Sequence, residues 1–290
     1  MAEQLKTASK WTVKDVLEWT AAYFKTRGIT TARLDAEVLL AHCLETDRLH
    51  LYLNLDRPLL PSERARYREM VRRRASREPV SLIVGKKEFW SIPFRAVPGV
   101  LIPRPDTETL VMAVLDVICG NPHPEILEIG TGSGAVATAI ARECPGASVI
   151  ATDINLTALE AAQFNAHRAG AAVLFLAADL LDPIRSGTRF DVICSNPPYI
   201  PDHVIPTLEP EIRFEPLAAL RGGMDGLDII RNLVPQAKEY LKSTGVLLVE
   251  MDSEQDAAVK AIFSAVGLTE VTTIPDLSGK PRVTKGVMLS

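Results

Sequence analysis

Asn196-Pro197-Pro198-Tyr199 follows Phe190-Asp191-Val192-Ile193-Cys194-Ser195, a run with the apolar, β-prone texture of a buried strand. A strand ending this way carries a polar amide at its tip, followed by two residues that have no N–H to donate. Their carbonyls stand as bare acceptors. Together with the Asn196 side-chain oxygen they can take both hydrogens of a planar –NH2 group. Asn-Pro and Pro-Pro are also ordinary turn punctuation, so the tetrapeptide by itself leaves a turn and an amine clamp both open.

Three further stretches end in the same manner. Ile126-Leu127-Glu128-Ile129 runs into Gly130-Thr131-Gly132-Ser133-Gly134; a strand over 148–152 ends at Asp153; a strand over 173–176 ends near Asp179 and Leu180. Ligands of open α/β sheets lie beyond the carboxyl ends of the strands. Four such tips on successive strands therefore define one candidate site. The glycine loop with Asp153 is compatible with a dinucleotide fingerprint, but no second glycine-rich unit or hydride-transfer residue accompanies it. The competing ligand is a nucleoside whose ribose meets Asp153 and whose adenine lies near Asp179. S-adenosylmethionine fits, and its methyl group would then point toward Asn196. Asp153 has a plainer reading as a helix N-cap, and Glu128 is either a brace for the loop or a ligand contact.

The elements that must position these residues fall into three regions. Residues 1–78 read as a helical domain: Thr12 and Asp15 resemble a capping box, Gly28 closes the first helix, a second begins near Thr31, and Pro61-Ser62 opens a third, rich in arginine. Residues 79–100 alternate β-prone residues with Gly and Pro, which predicts a β-hairpin linker. Residues 101–290 alternate strands with helices, beginning with a helix over 109–118 for which Asp106 or Thr107 is a fitting N-cap. That alternation implies a mostly parallel sheet with both faces covered, and two final strands with no helix between them permit an antiparallel pair at one edge. Residues 200–226 are too long and proline-rich for a plain connection and read as a functional loop.

Composition narrows the classes. The 290 residues are 47% hydrophobic and 23% charged, with a net charge of −4, as expected of a globular protein with ample core. No apolar leader or run long enough to span a bilayer is evident, so a cytoplasmic protein with no membrane association is expected. Cys43, Cys119, Cys144 and Cys194 form no Cys-x-x-Cys pair and the histidines do not cluster, which argues against a metal site and fits free, mostly packed thiols. Residues 1–90 hold 17 Lys and Arg against 12 Asp and Glu, whereas the rest hold 15 against 24. Seven arginines between Arg64 and Arg77 supply most of the excess. They are either a solvated helix face or a contact for a polyanion or an acidic protein.

The glycine loop and Asp153 together resemble the S-adenosylmethionine site of Rossmann-fold methyltransferases. Asn-Pro-Pro-Tyr is similar to the tip found in those that methylate planar nitrogens: DNA adenine-N6, RNA guanine-N2 and protein glutamine-N5 enzymes. Further segments separate these. Arg33-Leu34-Asp35-Ala36-Glu37, Gly85-x-x-Glu88-Phe89-Trp90, Ile102-Pro103-Arg104-Pro105-Asp106-Thr107-Glu108, Arg213-Phe214-Glu215-Pro216, Gly223-x-Asp225-Gly226-Leu227-Asp228 and Asp276-Leu277-Ser278-Gly279-x-x-Arg282-Val283-Thr284 resemble the peptide chain release factor glutamine methyltransferase family over nearly the whole chain.

The resemblance implies a Rossmann-like class I methyltransferase sheet with a small N-terminal helical domain for substrate recognition. It implies S-adenosylmethionine held by Gly130, Thr131, Gly132, Ser133, Gly134, Asp153, Asp179, Leu180 and Asn196. It further implies methyl transfer to the glutamine of the Gly-Gly-Gln loop of class 1 release factors, clamped by Asn196, Pro197, Pro198 and Tyr199, with Tyr199 over the flat amide. No metal is implied, and nucleic acid is not the expected substrate, although a DNA or RNA amino methyltransferase is the alternative the same tip allows. One departure stands out: the family usually has glycine two residues after the acid ending strand five, where this chain has Asp252 after Glu250 and Met251.

Overall fold

The computed structural model describes residues 11–182 and 184–289. The chain divides into two compact units, one ending at Gly85 and the other beginning at Lys86.

The first unit is helical: α1 (Val13–Thr26), α2 (Ala32–Cys43), α3 (Arg48–Leu53), α4 (Pro61–Ala75) and α5 (Val80–Val84). Thr12 and Asp15 form the expected capping box on α1. Val16, Leu17 and Phe24 of α1 pack on Leu39 and Leu40 of α2 and on Tyr67 and Val71 of α4. Asp35 and Glu37 of the segment Arg33 to Glu37 add buried carboxylates to this core. Arg74 Nε donates to Asp35 at 2.7 Å, and both side chains are buried. Glu37 accepts from Arg33, Arg48 and Tyr52. Arg74 Nη1 also donates to the Glu78 carbonyl at 3.3 Å. Residues 80–84, expected as part of a hairpin, form a helical turn instead. Pro79 starts it and Gly85, at φ +74, stops it; the β-branched run over-signalled a strand where packing on the helices decided.

The second unit opens with a hairpin, β1 (Lys86–Phe89) and β2 (Ile92–Arg95), and continues α6 (Glu108–Ile118), β3 (Glu125–Ile129), α7 (Ala135–Glu143), β4 (Ser148–Asp153), α8 (Leu156–Ala169), β5 (Val173–Ala177), β6 (Phe190–Ser195), α9 (Asp228–Lys238), β7 (Leu241–Glu250), α10 (Asp256–Ala265), β8 (Thr269–Pro275) and β9 (Pro281–Val287). Seven strands form one sheet in the order β5-β4-β3-β6-β7-β9-β8; β9 runs antiparallel to both of its neighbours and the other pairings are parallel.

Strand alternation builds two cores. Ile126, Val192, Cys194 and Leu248 face one side, with Leu110, Val114, Val136 and Ile140 of α6 and α7. Leu127, Ile193, Leu247 and Val249 face the other, with Ile230, Leu233, Val259 and Phe263 of α9 and α10. Every second residue of each central strand therefore lies in one core and its neighbours in the other, as a sheet covered on both faces requires. The strand order reverses between β3 and β6, where Ile129 and Ser195 stand in register. The glycine loop and Asn196 thus leave the sheet side by side at its switch point.

Candidate active site

Below the tip, the Ser195 hydroxyl donates to the Ile129 carbonyl at 2.8 Å and ties β6 to β3. Asn196 Nδ2 donates to Thr107 Oγ1 at 3.1 Å. The Thr107 hydroxyl donates to Glu250 Oε1 at 3.2 Å, and the Tyr199 hydroxyl donates to the same oxygen at 3.4 Å. Thr107 and Glu250 are 5% and 1% exposed, so this chain of bonds is closed off from solvent. Burial pushes the Glu250 carboxyl up to about 7, opposed by the Thr107 bond and by the charge of Arg282. With Nδ2 engaged, Oδ1 is the part of the Asn196 amide left for a ligand. The rest of the tip is pinned from behind: Gln255 Nε2 donates to the Tyr199 carbonyl at 2.9 Å and to the Asp225 carbonyl at 3.3 Å.

Thr107 was an expected N-cap of α6. It has helical backbone angles, ends a 3-10 turn over Pro105–Thr107, and makes no side-chain cap. Its hydroxyl serves the site instead, and Asp106 pairs with Arg282 at 3.2 Å.

On the opposite side of the switch point, Gly132 N–H donates to Asp153 Oδ2 at 2.7 Å and Asn155 N–H donates to Oδ1 at 2.8 Å. The N-cap of α8 is Asn155, whose side chain accepts from Thr157 N–H, so capping is not the work of Asp153. Burial raises the Asp153 carboxyl, and these backbone bonds act against that. Glu128 is a loop brace: its Oε2 accepts from the Thr131 hydroxyl at 2.6 Å and from Ala137 N–H at 3.0 Å. Burial pushes its carboxyl up to about 8.

A cavity of about 250 Å³ joins the two sides. Gly130, Gly132, Asp153, Asp179, Leu180, Asn196, Pro197 and Pro198 line it. A Cβ at Gly130 or Gly132 would meet no protein atom within 4 Å, so the loop presents bare backbone to open space. Thr131, Ser133, Gly134 and Tyr199 do not line the cavity. Thr131 turns to Glu128, the Ser133 carbonyl accepts from Asn165 Nδ2 at 2.9 Å, and Gly134 abuts Ala162 of α8. Tyr199 sets its ring against the α9 and α10 core with its hydroxyl at Glu250, rather than over the cavity. Gly99 to Leu101, Ile154 and Ala218 are also among the lining and carried no chemical signal in the sequence, whereas Pro216 belongs to one of the segments the resemblance singled out.

The remaining segments prove to be mutual partners. Arg104 donates to Glu215, which also accepts from Ile102 N–H at 3.3 Å, and Trp90 N–H donates to Glu108 Oε1 at 2.9 Å. Asp252 at the expected glycine has φ −71, needs no left-handed backbone, and caps the next turn by accepting from Glu254 N–H at 2.9 Å. Cys43 and Cys194 are buried and Cys144 is half-buried, while Cys119 is exposed. Among the described residues no helix is long and apolar enough to cross a membrane, and no group of three or more His, Cys, Asp or Glu could hold a metal ion.

A glycine loop, an acid after the next strand and an acceptor tip, all at the switch point of this sheet, define a Rossmann-like methyltransferase. Residues 104–208 match the methyltransferase small domain, and residues 15–85 match the PrmC N-terminal domain. The chain is 44% identical over 278 residues to the release factor glutamine methyltransferase of Geobacter sulfurreducens, covering 95% of this chain and 96% of that protein. It is 41% identical to the enzyme of the same name from Rhodopirellula baltica, covering 94% and 95%. The chain belongs to the release factor glutamine methyltransferase family. Among solved structures, its fold is similar to that of the 16S rRNA N2 G1207 methyltransferase of T. thermophilus, with TM-score 0.53 and 18% identity over 70% of this chain and 49% of that one. A methyltransferase from Pyrococcus furiosus is similar with TM-score 0.50 and 19% identity, over 70% and 92%.

Proposed function

We propose that this chain transfers a methyl group from S-adenosylmethionine to the side-chain amide nitrogen, N5, of the glutamine in the Gly-Gly-Gln loop of class 1 peptide chain release factors. One observation carries the reading: Asn196, Pro197 and Pro198 line the same cavity as the glycine loop and Asp153. The donors and acceptors fit the cofactor. Backbone at Gly130 and Gly132 allows close approach, and each Asp153 oxygen keeps a lone pair for a ribose hydroxyl beside the backbone bond it already accepts. Asp179 and Leu180 form the wall on the adenine side. Bound S-adenosylmethionine supplies a methyl group on an electron-poor sulfonium.

An amide nitrogen is a poor nucleophile because its lone pair is delocalised into the carbonyl. What these residues offer is alignment, worth roughly 7–11 kcal/mol of barrier in well-oriented systems without a general base. Asn196 Oδ1 and the Pro197 carbonyl accept the two amide hydrogens and stabilise the positive charge that develops on nitrogen; as the nitrogen–carbon bond forms and the methyl–sulfur bond breaks, one of those hydrogens leaves the nitrogen as a proton to solvent. Pro198 stiffens the tip, and Tyr199 anchors it from behind through Glu250. Adenine offers the same flat –NH2, so the choice of glutamine rests on the family relationship over both units. Four of the six arginines of α4 are engaged within the helical unit, which weakens a nucleic-acid reading: Arg72, Arg73 and Arg74 pair with Glu69, Glu78 and Asp35, and Arg66 donates to the Cys43 carbonyl. A release-factor substrate places the enzyme with the translation machinery in the cytoplasm, with neither membrane nor metal in its working cycle. Labelled methyl transfer to purified release factor, run beside DNA and RNA, tests the reading. Label in the release-factor glutamine supports it, and label confined to nucleic acid overturns it.

A further inference from the structure

The orientation of the Asn196 amide has to be held, because a side-chain amide turned by half a rotation exchanges its acceptor for its donor. A flipped Asn196 would present –NH2 to the substrate –NH2, donor against donor. We propose that Thr107 and Glu250 are positioning residues for methyl transfer: the ionised Glu250 draws the Thr107 hydroxyl proton to itself, Thr107 can then only accept from Asn196 Nδ2, and Asn196 Oδ1 is thereby held toward the substrate amide. The inference rests on the function proposed above.

The geometry runs in one direction. The Thr107 hydroxyl has a single proton, directed to Glu250 Oε1 at 3.2 Å, so the bond from Asn196 Nδ2 at 3.1 Å meets a lone pair. Tyr199 donates to the same carboxylate oxygen. Glu250 Oε2 is buried with no hydrogen-bond partner, so no other bond fixes the carboxyl in one protonation state. A Glu250 protonated on Oε1 instead donates to Thr107, whose own proton is then free to turn toward Asn196, so that the amide is no longer held in one orientation. Arg282 of β9, one nitrogen of which meets both Asp106 and Asp276 at 3.2 Å, favours the carboxylate, and Asp106 before α6 opposes it. Asp252 and the Tyr199 phenol complete the surroundings.

The test compares wild type, Thr107→Ser, Thr107→Val and Glu250→Gln in methyl transfer to a purified class 1 release factor between about pH 5.5 and 8.5. Wild-type kcat should rise with pH through about 7, the value to which burial pushes Glu250. Thr107→Ser, which keeps the hydroxyl, should hold kcat within about threefold, whereas Thr107→Val should lose about 10- to 100-fold in kcat with KM for S-adenosylmethionine unchanged. Glu250→Gln cannot titrate and should flatten the acid limb. Calorimetric binding of S-adenosylmethionine by each variant shows that its fold is intact. Thr107→Val with wild-type kcat, or an acid limb that survives in Glu250→Gln, overturns the positioning role alone. A wild type that methylates no release factor overturns the functional reading, and this inference with it.

Discussion

Asp153 shows how one carboxylate can serve both the fold and the ligand. It holds Gly132 and Asn155 by their N–H groups while lining the cavity. Asp153→Asn keeps the shape but sets an –NH2 group against one of those donors. The expected result is an S-adenosylmethionine Kd raised roughly tenfold or more, measured calorimetrically, with kcat at saturation much less affected. Glu128 predicts a pH effect on stability. Its folded pKa of about 8 lies above the ordinary 4.5, so the folded state holds a proton that the unfolded chain has released, and stability falls as pH rises between those values. Glu128→Gln should remove that loss, worth at least about 1 kcal/mol or roughly 2–4 °C in Tm, between about pH 5 and pH 8. A wild-type melting temperature that rises across the same range would contradict the assignment. At this scale the sequence was legible where chemistry lies next to a strand end, as at Asn196 and Asp153. It was opaque where partners are far apart in the chain, as Thr107 is from Glu250, because nothing in either residue's neighbours encodes the meeting.

Elements were legible to the extent that their periodicity was unmixed. The sheet strands and α7 to α10 follow their apolar patterns closely. Residues 80–84 did not, because a short β-branched run is ambiguous until its packing partners are known. The loop over 200–226 was recognisable by length, and its function as a strut follows from its contacts. Gly226, at φ +79, lies where an added Cβ would sit 2.2 Å from the Tyr199 carbonyl oxygen and 2.4 Å from Gln255 Nε2. Gly226→Ala should therefore displace the acceptor tip, lowering kcat by about tenfold or more and stability by about 1–3 kcal/mol in urea unfolding. In the helical unit, Asp35→Ala removes the buried carboxylate that Arg74 Nε meets at 2.7 Å, and urea unfolding should show a loss of about 1–3 kcal/mol.

For the molecule as a whole, the two units carry different kinds of information. The sheet unit states a reaction class through its switch point, glycine loop and acceptor tip. The helical unit contributes through family membership, by its match over residues 15–85 to the PrmC N-terminal domain. The most direct test is mass spectrometry of a class 1 release factor after incubation with S-adenosylmethionine and either wild type or Asn196→Ala. The wild type should add the mass of one methyl group to the glutamine of the Gly-Gly-Gln loop. Asn196→Ala should leave S-adenosylmethionine binding largely intact yet transfer about 10²- to 10³-fold more slowly, as expected when a preorganised acceptor is removed. An unmodified glutamine with wild type, or undiminished transfer by Asn196→Ala, would contradict the account.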